Sequence, residues 1–299
     1  MADAAIEHGH VAVNGINLHV ARAGQDGAPL VLFLHGFPEF WYAWRRQLGL
    51  FGADRLAVAP DLRGFNLSDK PADPRAYRAP VVVEDIRQLA ARFTDGKFVL
   101  VAHDWGGAAA WAFALAHPEM LARLVILNSP HPLTFLRELH TNPAQIKASQ
   151  YFRLFRDPAA EATLAADNFA WLWRFSLAGL HARGVLTDAD RDAYLAAWAQ
   201  PGALTGGLNW YRASPAPVPE EGAEPGRLPA VDPARFTVRV PTTVIWGLRD
   251  FALMSGLLDG LGDLVPDLTL HRVEDAGHWI AYEKPDLVDR LIGDALAAA

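Results

Sequence analysis

Apolar positions along this chain fall into two rhythms. The first is a set of short, almost unbroken runs, "PLVLFLHGF", "RLAVAPDL", "KFVLVAHD" and "RLVILNSP". Runs of this length without polar alternation predict strands buried on both faces, as in a parallel sheet. Each but the last is followed by a stretch of helical period, at about residues 41–51, 80–93 and 106–116. That β-α-β-α order predicts a doubly wound sheet. Ahead of it, "VAVNGINLHV" alternates apolar residues around Asn14-Gly15, a pair suited to a turn with positive φ at both central positions, so an antiparallel hairpin opens the chain.

From about Pro130 to Phe236 the strand signal vanishes, and Ala, Leu, Trp and Arg recur at helical spacing. A Pro-heavy stretch, "ASPAPVPEEGAEPGRLPAVDP", follows and reads as a long closing loop. "TTVIWGLRD" and "LTLHRVEDAGH" then resume the strands, and "KPDLVDRLIGDALAAA" predicts a last helix with Pro285 near its start. The expected organisation is one α/β core from residues 1–130 and 237–299, with a helical subdomain inserted at 131–236.

Charge and composition narrow the function. The 299 residues carry 27 Lys and Arg against 34 Asp and Glu, a formal −7, with no dense basic block. Neither a nucleic acid nor an anionic membrane is the expected partner; a small neutral molecule is. With no cysteine, disulfides, a thiolate nucleophile and a cysteine zinc site are excluded. "MADAAIEHGH" does not read as a secretion signal, and no apolar run approaches the roughly 20 residues of a membrane span, so a cytoplasmic protein is expected.

The candidate chemistry starts at "VLVAHDWGGAAA". Ala102-His103-Asp104-Trp105-Gly106 sets small residues two before and two after an acid. That is the spacing of a nucleophile elbow, where a strand turns into a helix so tightly that larger flanking side chains collide. The N-terminus of the helix favours an anion at that place. As a plain alternative, Asp104 is an N-cap, but a cap does not require the small-x-acid-x-small pattern. Two partners follow in the order nucleophile, acid, histidine: Asp250 in "WGLRDF" and His278 in "DAGHW". Asp275 competes with Asp250 for orienting His278, but from within the same short loop it needs a tight bend to reach the ring. In "LHGFPEFW" the backbone N–H of Phe37, with that of Trp105, is expected to form an oxyanion hole. Phe37-Pro38 is a candidate cis peptide bond.

"HGFPEFWYAW", "DLRGFNLSDKP", "VAHDWGGAAAW", "NSPHP", "LNWYR" and "AGHW" together resemble the α/β-hydrolases, and within them the epoxide hydrolases. The resemblance covers most of the chain. It implies the α/β-hydrolase fold with a helical cap, an aspartate nucleophile (Asp104), a His/Asp pair (His278 and Asp250) and two cap tyrosines. "LNWYR" places one tyrosine at Tyr211 and "ASQYFRLF" the other at Tyr151. The implied substrate is a small hydrophobic epoxide opened with water to a diol, with Phe37, His103 and Trp105 also expected to touch it. No cofactor or metal is expected, since "EHGH" shows no further ligand.

Two other readings stay open. A haloalkane dehalogenase would use the same Asp104, with Trp105 donating to the halide, but gives no role to Tyr151 and Tyr211 together. A small-molecule receptor of this fold would usually keep serine at the elbow. A fluoroacetate-type dehalogenase would want arginines just after the nucleophile, where this chain reads "WGGAAAW". Trp171, Trp173, Trp198 and Trp210 are expected mainly as cap core, and Tyr42, Tyr77, Tyr194 and Tyr282 as packing residues. His103, His131 and His140 are also expected to be structural or pocket-lining.

Overall fold

The computed structural model describes residues 4–223, 226, 228 and 230–299. Eight strands form one sheet: β1 (Glu7–Val13), β2 (Ile16–Ala23), β3 (Leu30–Leu34), β4 (Leu56–Pro60), β5 (Phe98–His103), β6 (Leu121–Leu127), β7 (Thr242–Gly247) and β8 (Leu268–Val273). Their order across the sheet is β1-β2-β4-β3-β5-β6-β7-β8. β1 and β2 pair antiparallel through the Asn14-Gly15 turn, where both residues have positive φ. β2 pairs antiparallel with β4, and the remaining pairs are parallel.

Alternation along the buried strands builds two cores. Leu30, Leu32 and Leu34 point to one face, where they meet Val82, Ile86, Ala109 and Phe113 of the helices Ala79–Ala90 and Asp104–Ala116. Val31 and Phe33 point to the other, against Leu48 and Phe51 of Arg45–Phe51 and Leu291 and Ile292 of Pro285–Ala297. This two-faced burial is why those strands lack polar alternation.

The strand order reverses between β3 and β5, since β3 lies between β4 and β5. In open α/β sheets the crevice beyond the carboxyl ends of strands at such a switch point is where ligands bind. Here it receives the residues after Leu34 and after His103.

Between β6 and β7, which are neighbours in the sheet, the described chain is helical: Pro132–Thr141, Pro143–Ala148, Tyr151–Arg156, Ala160–Phe175, Ala178–Ala182, Asp188–Trp198 and Ala203–Ala213. The stretch Ala160–Phe175 is bent by left-handed backbone at Asp167, Asn168 and Phe169. The Pro-rich segment after Ala213 is irregular where described; Glu224, Pro225, Arg227 and Pro229, expected in its loop, lie outside the described residues, as do residues 1–3 of the N-terminal stretch read against a secretion signal.

One backbone contact fixes the helix Ala203–Ala213 on the core. A Cβ at Gly206 would lie 2.2 Å from the carbonyl oxygen of Gly64, itself at φ +91°. Trp210 Nε1 donates to the Arg63 carbonyl (3.0 Å) beside it. Gly206→Val must lift this helix, so we expect a stability loss of about 1–3 kcal/mol from overpacking, measured by urea unfolding; an unchanged midpoint would contradict the contact.

Candidate active site

Asp104 occupies the turn between β5 and its helix with φ +50°, a left-handed conformation that is uncommon for a side chain with a Cβ. The surroundings leave no space for bulk: a Cβ on Gly36 would fall 2.3 Å from the Asp104 Cβ, and one on Gly106 2.5 Å from the carbonyl oxygens of Leu34 and His35. Gly36 and Gly106 therefore let the β3 loop and the elbow close on one another. Phe37 donates its backbone N–H to Asp104 Oδ1 at 2.8 Å, and the Phe37-Pro38 bond is cis, as proposed from the sequence.

The other carboxylate oxygen faces a histidine. His278 Nε2 is 3.6 Å from Asp104 Oδ2, and its Nδ1 is 2.7 Å from Asp250 Oδ2. The second Asp250 oxygen accepts backbone N–H groups of Ala252 (2.8 Å) and Leu253 (2.9 Å). Asp275 is elsewhere: its carboxylate pairs with Lys284. Burial pushes the His278 imidazole down, but the Asp250 carboxylate, and after it Asp104, raise it to about 9. Burial pushes the Asp250 carboxyl up, and His278 with the two N–H donors brings it below the usual range.

Tyr151 opens the short helix Tyr151–Arg156, and Tyr211 is on Ala203–Ala213. Their rings are 6.0 Å apart and nearly perpendicular, and Tyr211 stands edge-on to Trp105 at 5.0 Å. Burial, then the negative charge of Asp104, raises both phenols well above the ordinary tyrosine value. Both therefore stay protonated at neutral pH.

A cavity of about 550 Å³ includes Asp104, Trp105, Tyr151, Phe152, Trp210 and Leu253 in its walls. Most of the lining is apolar, as for a hydrophobic ligand with few convergent polar groups. Trp210 thus lines the cavity as well as packing, whereas Trp198 donates to the Pro38 carbonyl (2.6 Å) and Trp173 is buried. Tyr194 and Tyr282 are hydrogen-bonded to each other through their hydroxyls.

His103, expected as a structural or pocket-lining residue and as a substrate contact, is structural. Its Nδ1 is 2.8 Å from Glu39 Oε2 and its Nε2 is 2.9 Å from the His278 carbonyl. With both ring nitrogens committed and the side chain buried, it holds the histidine loop rather than a ligand. The Phe37 ring packs against Tyr211 at 5.3 Å and lies outside the walls of that cavity; its backbone N–H is what reaches Asp104.

Two residues were passed over in the sequence. Glu39 is buried, accepts from the Gly36 N–H (3.2 Å) and bonds His103; burial pushes its carboxyl up, and the neighbouring imidazole brings it below the usual range. A carboxylate inside the apolar "HGFPEFW" was the available signal. Asn128, just after β6 at φ +34°, donates to Asp250 Oδ2 (2.7 Å) and accepts from the Gly247 N–H (2.8 Å). An Asn directly after a buried strand, in "NSPHP", marked a backbone position that favours Asn.

Because folded His278 titrates near 9 against 6.5 for the free side chain, the folded protein holds an extra proton between those values. This stability is fully present below pH 6.5 and is lost as pH rises through about 9. Melting temperature should fall across that window and fall less in Asp250→Asn; equal slopes would contradict the coupling.

A sequence profile for the alpha/beta hydrolase fold matches residues 29–285. The AB hydrolase superfamily protein YfhM of Bacillus subtilis is 42% identical over 94% of this chain and 95% of its own length. Epoxide hydrolase 4 of Mus musculus is 34% identical, covering 93% of this chain and 76% of its own. The crystal structure of Bacillus megaterium epoxide hydrolase in complex with an inhibitor superposes with a TM-score of 0.87 at 37% identity, over 97% of this chain and all of that one. The chain belongs to the α/β-hydrolase fold family and, within it, to the epoxide hydrolases.

Proposed function

We propose that the protein hydrolyses a hydrophobic epoxide to a vicinal diol through an ester formed on Asp104. The observation that carries this reading is that Asp104 and Tyr151 share the walls of one apolar cavity, with Tyr211 packed on Tyr151 and on Trp105 beside them. A carboxylate is suited to backside displacement at a saturated carbon, which produces an ester. The oxirane oxygen leaves as an alkoxide, a poor leaving group unless it receives a proton or strong hydrogen bonds. Tyr151 and Tyr211 supply them. A halide needs no such proton, so the dehalogenase reading leaves both hydroxyls without a task.

In this mechanism Asp104 Oδ2 attacks an oxirane carbon while the ring oxygen takes a proton from a tyrosine. Water then attacks Cγ of the ester, giving its proton to His278 Nε2. The charge that develops on Oδ1 is met by the Phe37 N–H already bonded there, and by that of Trp105 at the first turn of the elbow helix. On collapse the departing diol oxygen takes the proton held by His278, and the carboxylic acid that remains gives its own proton back to His278, which regenerates the Asp104 carboxylate.

Charge sets the order of the steps. In the resting site two carboxylates flank His278 and favour its protonated form. Ester formation removes the Asp104 charge, which leaves Asp250 as the remaining flanking anion and lowers the imidazole pKa. Its proton passes to the tyrosinate left by ring opening, and the histidine becomes a base at the stage where one is required. In this reading the helices between β6 and β7 form the cap that brings the tyrosines over the nucleophile, with residues 131–236 as cap and 1–130 and 237–299 as core.

His278→Gln should retain ester formation and lose hydrolysis, so intact-protein mass spectrometry after adding styrene oxide should show a stable adduct of substrate mass. No adduct in a folded variant would contradict the covalent scheme. Tyr151→Phe and Tyr211→Phe should each slow ring opening by about 10²–10³-fold, by analogy with loss of an oxyanion donor, and the double variant should abolish it. Diol release near the wild-type rate in the double variant would remove the phenols from the mechanism.

A further inference from the structure

A second cavity, of about 580 Å³, has His278 in its wall. Asp104 lines the first cavity and His278 the second, and no residue lines both. An aromatic series separates them: Tyr151 packs on Phe175 (5.5 Å), Phe175 on Phe251 (5.6 Å), and Phe251 on His278 (6.0 Å). Tyr151 belongs to the wall of the first cavity, Phe175 and Phe251 to that of the second.

The two differ in chemistry. The wall of the second chamber includes Arg174, Arg183, Arg249 and Lys284, together with Asp275 and Glu283. Lys284 pairs with Asp275, and Arg183 lies 3.8 Å from Glu283. Among the described residues, Arg174 and Arg249 have no carboxylate within ion-pairing distance. Such a wall retains water and offers donors to hydroxyl groups, whereas an apolar epoxide gains little there.

We propose that the polar chamber serves the second half-reaction: it supplies the hydrolytic water to His278 and drains the diol, while the apolar cavity admits the epoxide to Asp104. This rests on the covalent mechanism above. The water from the chamber forms the new bond to Cγ and its proton goes to His278. The ester C–O bond then breaks, and the departing diol oxygen takes that proton back. The division keeps bulk water away from the oxirane and the protonated phenols, yet brings it to the base once the ester exists.

Gly179, in the helix Ala178–Ala182, provides a plug. A Cβ there meets only the tip of Arg183, at 3.7 Å, so a side chain at this lining position starts without a backbone clash. In single-turnover quench experiments with styrene oxide, Gly179→Trp should form the ester at the parental rate. Hydrolysis of that ester should slow about tenfold, while Gly179→Ala leaves both steps unchanged. Val185→Trp, at an exposed position on the same wall, gives the same test if the first variant fails to fold. Unchanged ester hydrolysis in a folded plugged variant, or slowed ester formation, would overturn this inference alone. Absence of any ester in the parent protein would overturn the covalent reading, and this inference with it.

Discussion

The left-handed turn at Asp104 governs the geometry of the site. A residue with a Cβ at φ +50° is disfavoured by about 1–2 kcal/mol relative to right-handed backbone, and the fold holds it there from several sides. Gly36 and Gly106 give the space, and the Phe37 N–H fixes one carboxylate oxygen. The second oxygen is then left facing His278. A side chain on either glycine would move the Asp104 carboxylate. The reversal of strand order between β3 and β5 brings these pieces together, because the loop after one strand and the elbow after the other open into the same crevice.

Around that turn, electrostatics is arranged in layers. Asp250 is fixed by two backbone donors and by Asn128, and it orients the His278 ring. Glu39 acts through His103 on the backbone of His278, so a buried carboxylate and imidazole control the loop rather than the ligand. Burial, and after it the Asp104 charge, raises the phenols of both tyrosines, while His278 is raised by Asp250 first and by the Asp104 charge after it. Chemistry that neutralises Asp104 therefore changes its neighbours in the required direction without any movement of the backbone.

Much of this was legible in the sequence. Strands buried on both faces show as unbroken apolar runs, the hairpin as Asn14-Gly15, and the elbow as small residues around an acid. The Asp250–His278 contact was predicted from loop position, and its 2.7 Å distance matches. What could not be read is what depends on three-dimensional proximity of residues far apart in the chain. Glu39 meets His103, and Asn128 meets Asp250, only after the sheet has formed. For His103 the sequence left a structural role and a ligand contact both open, and only its bonds to Glu39 and to the His278 carbonyl, formed across the fold, make it structural. The polar chamber is assembled from inserted helices and core loops, whose arginines in sequence resemble any solvated helix face.

The central claim is that Asp104 bonds to the substrate carbon and is regenerated by water attack on its own carboxyl carbon. A single turnover in heavy-oxygen water, followed by proteolysis and mass analysis of the peptide containing Asp104, tests it most directly. The mechanism predicts heavy oxygen in the Asp104 carboxyl and unlabelled diol from that first turnover. Label in the diol with none in the aspartate would contradict it.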